Sequence, residues 1–313
     1  MSSLPRITII TPSYNQGAFL ERTILSVLNQ GYSDLEYIII DGGSTDESVS
    51  IIRKYESRLH YWSSGPDRGQ THAINEGLAR AGGEVVNWLN SDDYLEPGAL
   101  FKVADAFEHP ETMIFAGYST LHQPRGIVKK RTSGPGLSLT DLLSSGQIMQ
   151  PSTFFRRSVF LQTGLLPESL HFMMDHYLWF RCLLKYPSSA FVYTEEMLAH
   201  VEMHENAKSV KSLEYFREDR LLIFASLFKA HQLPFITAPV TTSILLNFPD
   251  HRQEVANTYR AINFQLLLSL LFTRNEYGER VIIDKKVRNL LLTHYPFRIF
   301  SYFIKKRFTA PGL

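Results

Sequence analysis

The sequence predicts an α/β fold: a Rossmann-like, doubly wound, mostly parallel sheet over residues 1–210, then a helical region over residues 211–313. Three observations predict it. Short runs of β-branched residues alternate with stretches of helical apolar spacing through the first hundred residues. Each run stops at a turn rich in Gly, Asp, Asn or Ser. From about Leu213 onward the spacing is helical, with leucine-rich stretches at 220–229 and 262–272.

The elements follow in order. Arg6-Ile-Thr-Ile-Ile-Thr11 reads as the first strand and ends at Pro12. Phe19, Leu20, Ile24, Val27 and Leu28 fall at helical spacing, so Ala18–Gln30 is a helix closed by Gly31. Tyr37–Ile40 is a buried strand stopped by Asp41-Gly-Gly43, and Ser44 or Thr45 is expected to cap a helix over 46–55. Leu59–Ser63 is a shorter strand, and Thr71–Ala81 a helix closed by Gly82-Gly83. Glu84–Leu89 is a fourth strand, stopped by Asn90-Ser-Asp-Asp93, with a helix over 97–108 after it. Met113–Tyr118 and Ile148–Phe155 read as further strands, Gln123–Gly136 as a Gly/Pro/basic loop, and Met174–Leu184 as a helix.

Composition bounds the function classes. With 44% hydrophobic and 20% charged residues the chain is an ordinary globular one. At 313 residues it buries about three quarters of its unfolded surface, so it needs no staples. One cysteine excludes a disulfide framework and a cysteine metal cluster. A net charge of +1 supplies no field for nucleic acid, and no such partner is expected. No apolar stretch approaches the ~20 residues that span a bilayer, and no secretion signal is visible, so a cytoplasmic location is expected. From Lys285 to Leu313 there are seven Lys or Arg and no acid. That tail reads either as a packed helix with a solvated basic end or as one lying on the anionic inner face of a membrane.

In doubly wound sheets, ligands sit outside the carboxyl ends of the strands. That rule selects Thr11–Asn15, Asp41–Asp46, Ser63–Gly69 and Asn90–Asp93. Adjacent Asp92 and Asp93 repel each other when both are ionised, and a divalent cation with oxygen preference, Mg²⁺ or Mn²⁺, relieves that. The competing reading makes them helix caps. Asp41-Gly-Gly-Ser-Thr-Asp46 offers close backbone approach and an acceptor for a ring N–H, or simply a capped turn. Asp67 is either a turn residue or donor-facing. His200 and His204, four apart, suit zinc only on a helix, and the His-Glu-x-x-His order is not met. Trp88, Trp179, Phe180 and Cys182 fall in apolar periods and read as core.

Together the motifs resemble family 2 glycosyltransferases with the GT-A fold. The likeness runs from Ile-Thr-Ile-Ile-Thr-Pro-Ser-Tyr-Asn and Ile-Ile-Ile-Asp-Gly-Gly-Ser-Thr-Asp through Pro66-Asp-Arg-Gly-Gln70, Ala81-Gly-Gly-Glu84 and Trp88-Leu-Asn-Ser-Asp-Asp93. It continues through Gln150-Pro-Ser-Thr-Phe-Phe-Arg-Arg157, Gly164-Leu-Leu-Pro-Glu168 and Met174-Asp-His-Tyr-Leu-Trp-Phe-Arg181, covering about residues 5–210. The resemblance implies an inverting, metal-dependent transferase using a nucleoside-diphosphate sugar, UDP-linked by expectation. A glycan or lipid-linked hydroxyl would be the acceptor, in cell-surface polysaccharide or oligosaccharide synthesis. It implies that Pro12, Ser13 and Tyr14 meet the nucleoside, Asp41 the base, and Asp92 the ribose. It places Asp93 on the Mn²⁺ or Mg²⁺ that bridges the diphosphate, His204 over that diphosphate and near the metal, and Asp175 as general base. Where the family often has Arg in the Ala-x-Asn segment, this chain has Ile74, and Arg68 is the substitute for donor contact. The Gln-x-x-Arg-Trp signature of processive enzymes is absent. A catalytically silent binding scaffold of the same fold is the alternative. A nucleotidyltransferase is less favoured, because the loop after the first strand lacks Lys and Arg.

Overall fold

The computed structural model describes residues 4–124, 126–205, 207–208, 213–230, 246, 248, 272–274 and 281–283. The chain divides into two compact units, Met1–Gly136 with Gly146–Asp219 and Leu137–Ser145 with Arg220–Leu313.

In the first unit, β1 (Ile7–Ser13), β2 (Leu35–Asp41), β3 (Tyr61–Ser64) and β4 (Val85–Trp88) alternate with α1 (Gly17–Leu28), α2 (Ser48–Tyr55) and α3 (Gln70–Arg80). A two-residue β5 (Tyr94–Leu95) and α4 (Ala99–Phe107) follow. After them come β6 (Ile114–Gln123), β7 (Gly126–Arg131), β8 (Thr153–Arg156), α6 (Ser158–Thr163), α7 (Met174–Lys185) and β9 (Phe191–Glu202). The second unit holds α5 (Leu139–Ser145) and a two-stranded antiparallel sheet of β10 (Phe272–Arg274) and β11 (Val281–Ile283). The unit boundary falls within α8 (Leu213–Ala230). The C-terminal region is therefore not helical throughout. Most of the predicted helix over 262–272, and the basic tail, lie outside the described residues.

The main sheet runs β3-β2-β1-β4-β8-β6-β9-β5, with β7 paired to β6. Its first four strands are parallel, as a buried β/α alternation requires. Beyond β4 the sheet is mixed: β8 runs antiparallel to both β4 and β6. Two reversals restore direction, so β6, and β9 parallel to it, end on the same side as β1–β4. The turns after β1, β2, β3 and β4 gather at that side.

The apolar runs become strands because helices cover them. Ile7, Ile9, Tyr37, Ile39 and Val85 bury against Leu20, Ile24 and Val27 of α1, Ile52 of α2, and Leu100, Val103 and Phe107 of α4. Each fully buried Ile or Leu contributes about 1.5–3 kcal/mol. Trp88 and Trp179 are core, as expected, and burial pushes the Cys182 thiol up to about 12, which leaves it inert. α3 packs on β1 so closely that a Cβ at Gly77 would run into the Ile10 side chain. Gly77→Val is therefore expected to cost at least about 1–3 kcal/mol. An unchanged urea midpoint would contradict that packing.

Candidate active site

The parallel strands set the first group of residues side by side, with Ser13 in register with Asp41, and Asp41 with Ser64. Asp41 is 1% exposed, and its carboxylate organises the loop that follows. Oδ2 accepts from the Gly43 and Ser44 N–H groups (3.1 and 2.9 Å) and from Ser64 Oγ (2.7 Å). Oδ1 accepts from Ser44 Oγ at 2.5 Å. Ser44 and Thr45 do not cap α2, because Ser44 Oγ also accepts from the Asn15 N–H and the Thr45 N–H donates to Asn15 Oδ1. These two bonds hold Asn15 at φ 50, so the chain turns sharply just after Tyr14. Tyr14 is left 61% exposed, while Pro12 and Ser13 are buried. Ser13 Oγ is buried without a partner. The Asp67 carboxylate lies against Gly42 and accepts from the Gly69 N–H. Arg68 is engaged by Glu168 through two hydrogen bonds of 2.7 and 2.9 Å.

The acid loop after β4 is pinned from α1. Thr23 Oγ1 lies 2.9 Å from the Ser91 carbonyl and 2.6 Å from that of Asp93. Asp93 turns inward: it is 3% exposed, and Asn90 Nδ2 donates to its Oδ2. Burial pushes the Asp93 carboxyl well above the usual carboxylate range. The Asp92 charge adds to the shift, while Asn90, the Glu202 N–H and Arg22 oppose it. Asp92 is the acid that meets His204: Nε2–H donates to Oδ2 at 3.1 Å. The His204 ring stacks on Phe19 of α1, centroids 4.4 Å apart. Arg22 lies 4.3 Å over the Tyr94 ring and pairs with Glu202 at 2.8 Å, so the end of β9 is tied to the acid loop. Of the two adjacent acids, Asp93 therefore faces inward and Asp92 faces His204.

The Asp93 shift has a testable consequence. An acid whose folded pKa is raised is favoured protonated, so the wild type loses stability as pH rises from about 4 through the folded value. Asp93→Asn mimics the protonated form. In metal-free buffer the variant should melt higher than wild type at about pH 8, with the gap closing on acidification. A pH-independent gap would show that Asp93 is ionised throughout.

Asp175 opens α7. Its Oδ1 accepts from the His176 N–H at 2.7 Å and sits 3.2 Å from His176 Nδ1. Asp219 Oδ2 accepts the Phe172 and Met173 N–H groups just before this helix. Lys208 donates to the His171 carbonyl (2.7 Å) and to Gln70 Oε1 (2.9 Å), while Gln70 Nε2 donates to Asn90 Oδ1 (2.8 Å). A continuous chain of contacts therefore joins the acid loop to the approach to Asp175. Sequence reading missed Phe19, Arg22, Thr23, Gln70, Lys208 and Asp219 as parts of this assembly. The one available signal was Thr23, a polar residue in the apolar stripe of α1. A cavity of about 450 Å³ between Arg6, Asp34, Glu84 and Arg157 lies at the opposite ends of the strands.

The helical zinc pair disfavoured by the sequence is not formed: His200 lies on β9 and its Nε2 bonds Glu96 Oε2 at 2.5 Å, while His204 follows the strand and faces Asp92. They do not share a ligand position. Among the described residues no group of three His, Cys, Asp or Glu is placed to hold a metal ion. Asp92 and His204 form a two-donor set, which suits a divalent cation that takes its other ligands from phosphate and water. Among the described residues no helix is long and apolar enough to cross a membrane.

A family model described as Glycosyl transferase family 2 matches residues 8–183. An uncharacterized glycosyltransferase of Haemophilus influenzae is 26% identical over 238 residues, 72% of this chain and 94% of that protein. The GalNAc(5)-diNAcBac-PP-undecaprenol beta-1,3-glucosyltransferase of Campylobacter jejuni is 32% identical over 138 residues, 43% of this chain and 44% of that one. Among solved structures, S. aureus TarS 1–349 in complex with UDP-GlcNAc superposes with a TM-score of 0.64 at 18% identity, over 92% of this chain and 79% of that chain. This last likeness is one of fold, and the fold is GT-A.

Proposed function

This chain belongs to glycosyl transferase family 2, and from that premise we propose an inverting transfer of a sugar from a UDP-sugar to a hydroxyl of a glycan or lipid-linked acceptor. The pathway would be synthesis of a cell-surface polysaccharide or oligosaccharide. Residues 1–210 would form the catalytic domain, and residues 211–313 its appendage. The observation that carries the reading is the Asp92–His204 contact at the carboxyl ends of the parallel strands. UDP is the nucleotide to test first, since the TarS structure holds UDP-GlcNAc. The lipid-linked acceptor is the kind named for the Campylobacter relative.

Each residue has a task. Exposed Tyr14 offers a face for the nucleoside, and Asp41, with the loop it shapes, would meet the base. Asp67 lies beside that loop, and Arg68 would reach a donor only by leaving Glu168. Asp92 and His204 would hold Mn²⁺ or Mg²⁺, whose charge offsets that of the departing diphosphate. To hold the ion, His204 would turn its Nε2 lone pair to it in place of the contact with Asp92. Asp93, expected from the sequence on the metal, would in this reading stay inside and fix the loop. Asp175 takes the proton of the attacking hydroxyl as the bond to the anomeric carbon forms. Attack opposite the leaving group inverts that carbon.

Calorimetry with UDP, GDP and dTDP, with and without Mn²⁺, tests the reading. UDP should bind, and bind more tightly with Mn²⁺; a chain that binds no nucleotide under either condition contradicts it.

A further inference from the structure

The hairpin of β6 and β7 is not used by the transfer reaction, yet it stands beside the site. The His122 carbonyl, one residue before the end of β6, accepts the Met203 N–H at 2.9 Å, and His204 is the next residue. Its turn therefore lies at the catalytic end of the sheet. From Thr112 to Thr140 the sequence carries Arg125, Lys129, Lys130 and Arg131 and no Asp or Glu. Among the described residues Lys129 and Lys130 have no ion-pair partner, while Arg131 lies 5.1 Å over the Tyr118 ring. Next to this charge, Ile127 is 68% and Val128 39% exposed.

Lysines on an edge strand discourage edge-to-edge pairing. That accounts for the charge and leaves the two exposed aliphatic residues unexplained. Aliphatic side chains flanked by lysines match a bilayer boundary, where apolar groups enter the acyl region and ammonium groups meet anionic headgroups. We infer that the β6–β7 hairpin docks this protein on an anionic membrane surface through Ile127, Val128, Lys129 and Lys130, with the catalytic end of the sheet toward the lipid. Such a placement would suit an acceptor hydroxyl held at the membrane. The inference goes beyond sugar transfer, and its experiment contains neither donor nor acceptor, so its failure leaves the catalytic reading standing.

The test is co-sedimentation of the full chain with vesicles of phosphatidylcholine alone or with about one third phosphatidylglycerol. Binding to the anionic vesicles is expected, weakening with salt. Lys129→Gln with Lys130→Gln should lower partitioning about thirty-fold, and Ile127→Ser should lower it several-fold more. Hydrogen exchange of the wild-type chain gives a readout free of variants: amides of 123–131 should gain protection on anionic vesicles. The proposal is overturned by equal binding to neutral vesicles, by no binding, or by unprotected hairpin amides. It is equally overturned if the lysine variant binds as wild type while Lys305→Gln with Lys306→Gln abolishes binding.

Discussion

Asp92→Asn should lower kcat/KM for sugar transfer by about 10³-fold or more, the scale expected when charge stabilisation at a leaving group is lost. The same variant should bind UDP equally with and without Mn²⁺. His204→Ala should do likewise, and the double variant should be little worse than either single one, because the two side chains would hold one ion. Asp93→Asn separates this account from the alternative assignment. Asp93 is buried and receives the Asn90 side-chain N–H, so its Asn variant should keep the Mn²⁺ response of UDP binding. Loss of that response in Asp93→Asn, with Asp92→Asn unaffected, would return the metal to Asp93.

Asp175→Asn is expected to lower kcat about 10²–10⁴-fold, the usual range for removing a general base. UDP-sugar binding and its Mn²⁺ dependence should stay at wild-type values, since among the described residues the side chain hydrogen-bonds only its neighbour His176. The acid limb of the pH–rate profile should vanish with the base. Stability should hold, because the loop before α7 is fastened by Asp219 and Lys208 and not by Asp175. An Asn variant with wild-type kcat would remove Asp175 from the chemistry.

The parallel half of the sheet was legible because each strand is buried on both faces and so reads as an unbroken apolar run ended by a polar turn. The four segments chosen at those turns, around Ser13, Asp41, Asp67 and Asp92, do sit at one end of the sheet. Of the mixed half, β6 and β8 were read in part, as Met113–Tyr118 and Ile148–Phe155, but β7 and β9 were not. β9 spells Phe-Val-Tyr-Thr-Glu-Glu-Met-Leu-Ala-His-Val-Glu, mostly half-buried and without alternation, and its pairing partners lie about 75 residues or more upstream. β7 is a short edge strand, Gly-Ile-Val-Lys-Lys-Arg, whose glycine and basic residues read as loop. Which of the two acids turns inward was not legible for a different reason. Adjacent carboxylates look alike in sequence, and which one turns inward is set by Thr23 on α1 and by His204 beyond β9. Such choices are made by tertiary packing and have no local signature.

The most direct measurement is the anomalous scattering of Mn²⁺ in crystals grown with UDP. The account predicts one strong peak at bonding distance from both Asp92 Oδ2 and His204 Nε2, with Asp93 still hydrogen-bonded to Asn90. A peak coordinated by Asp93, or one that neither Asp92 nor His204 reaches, would contradict it.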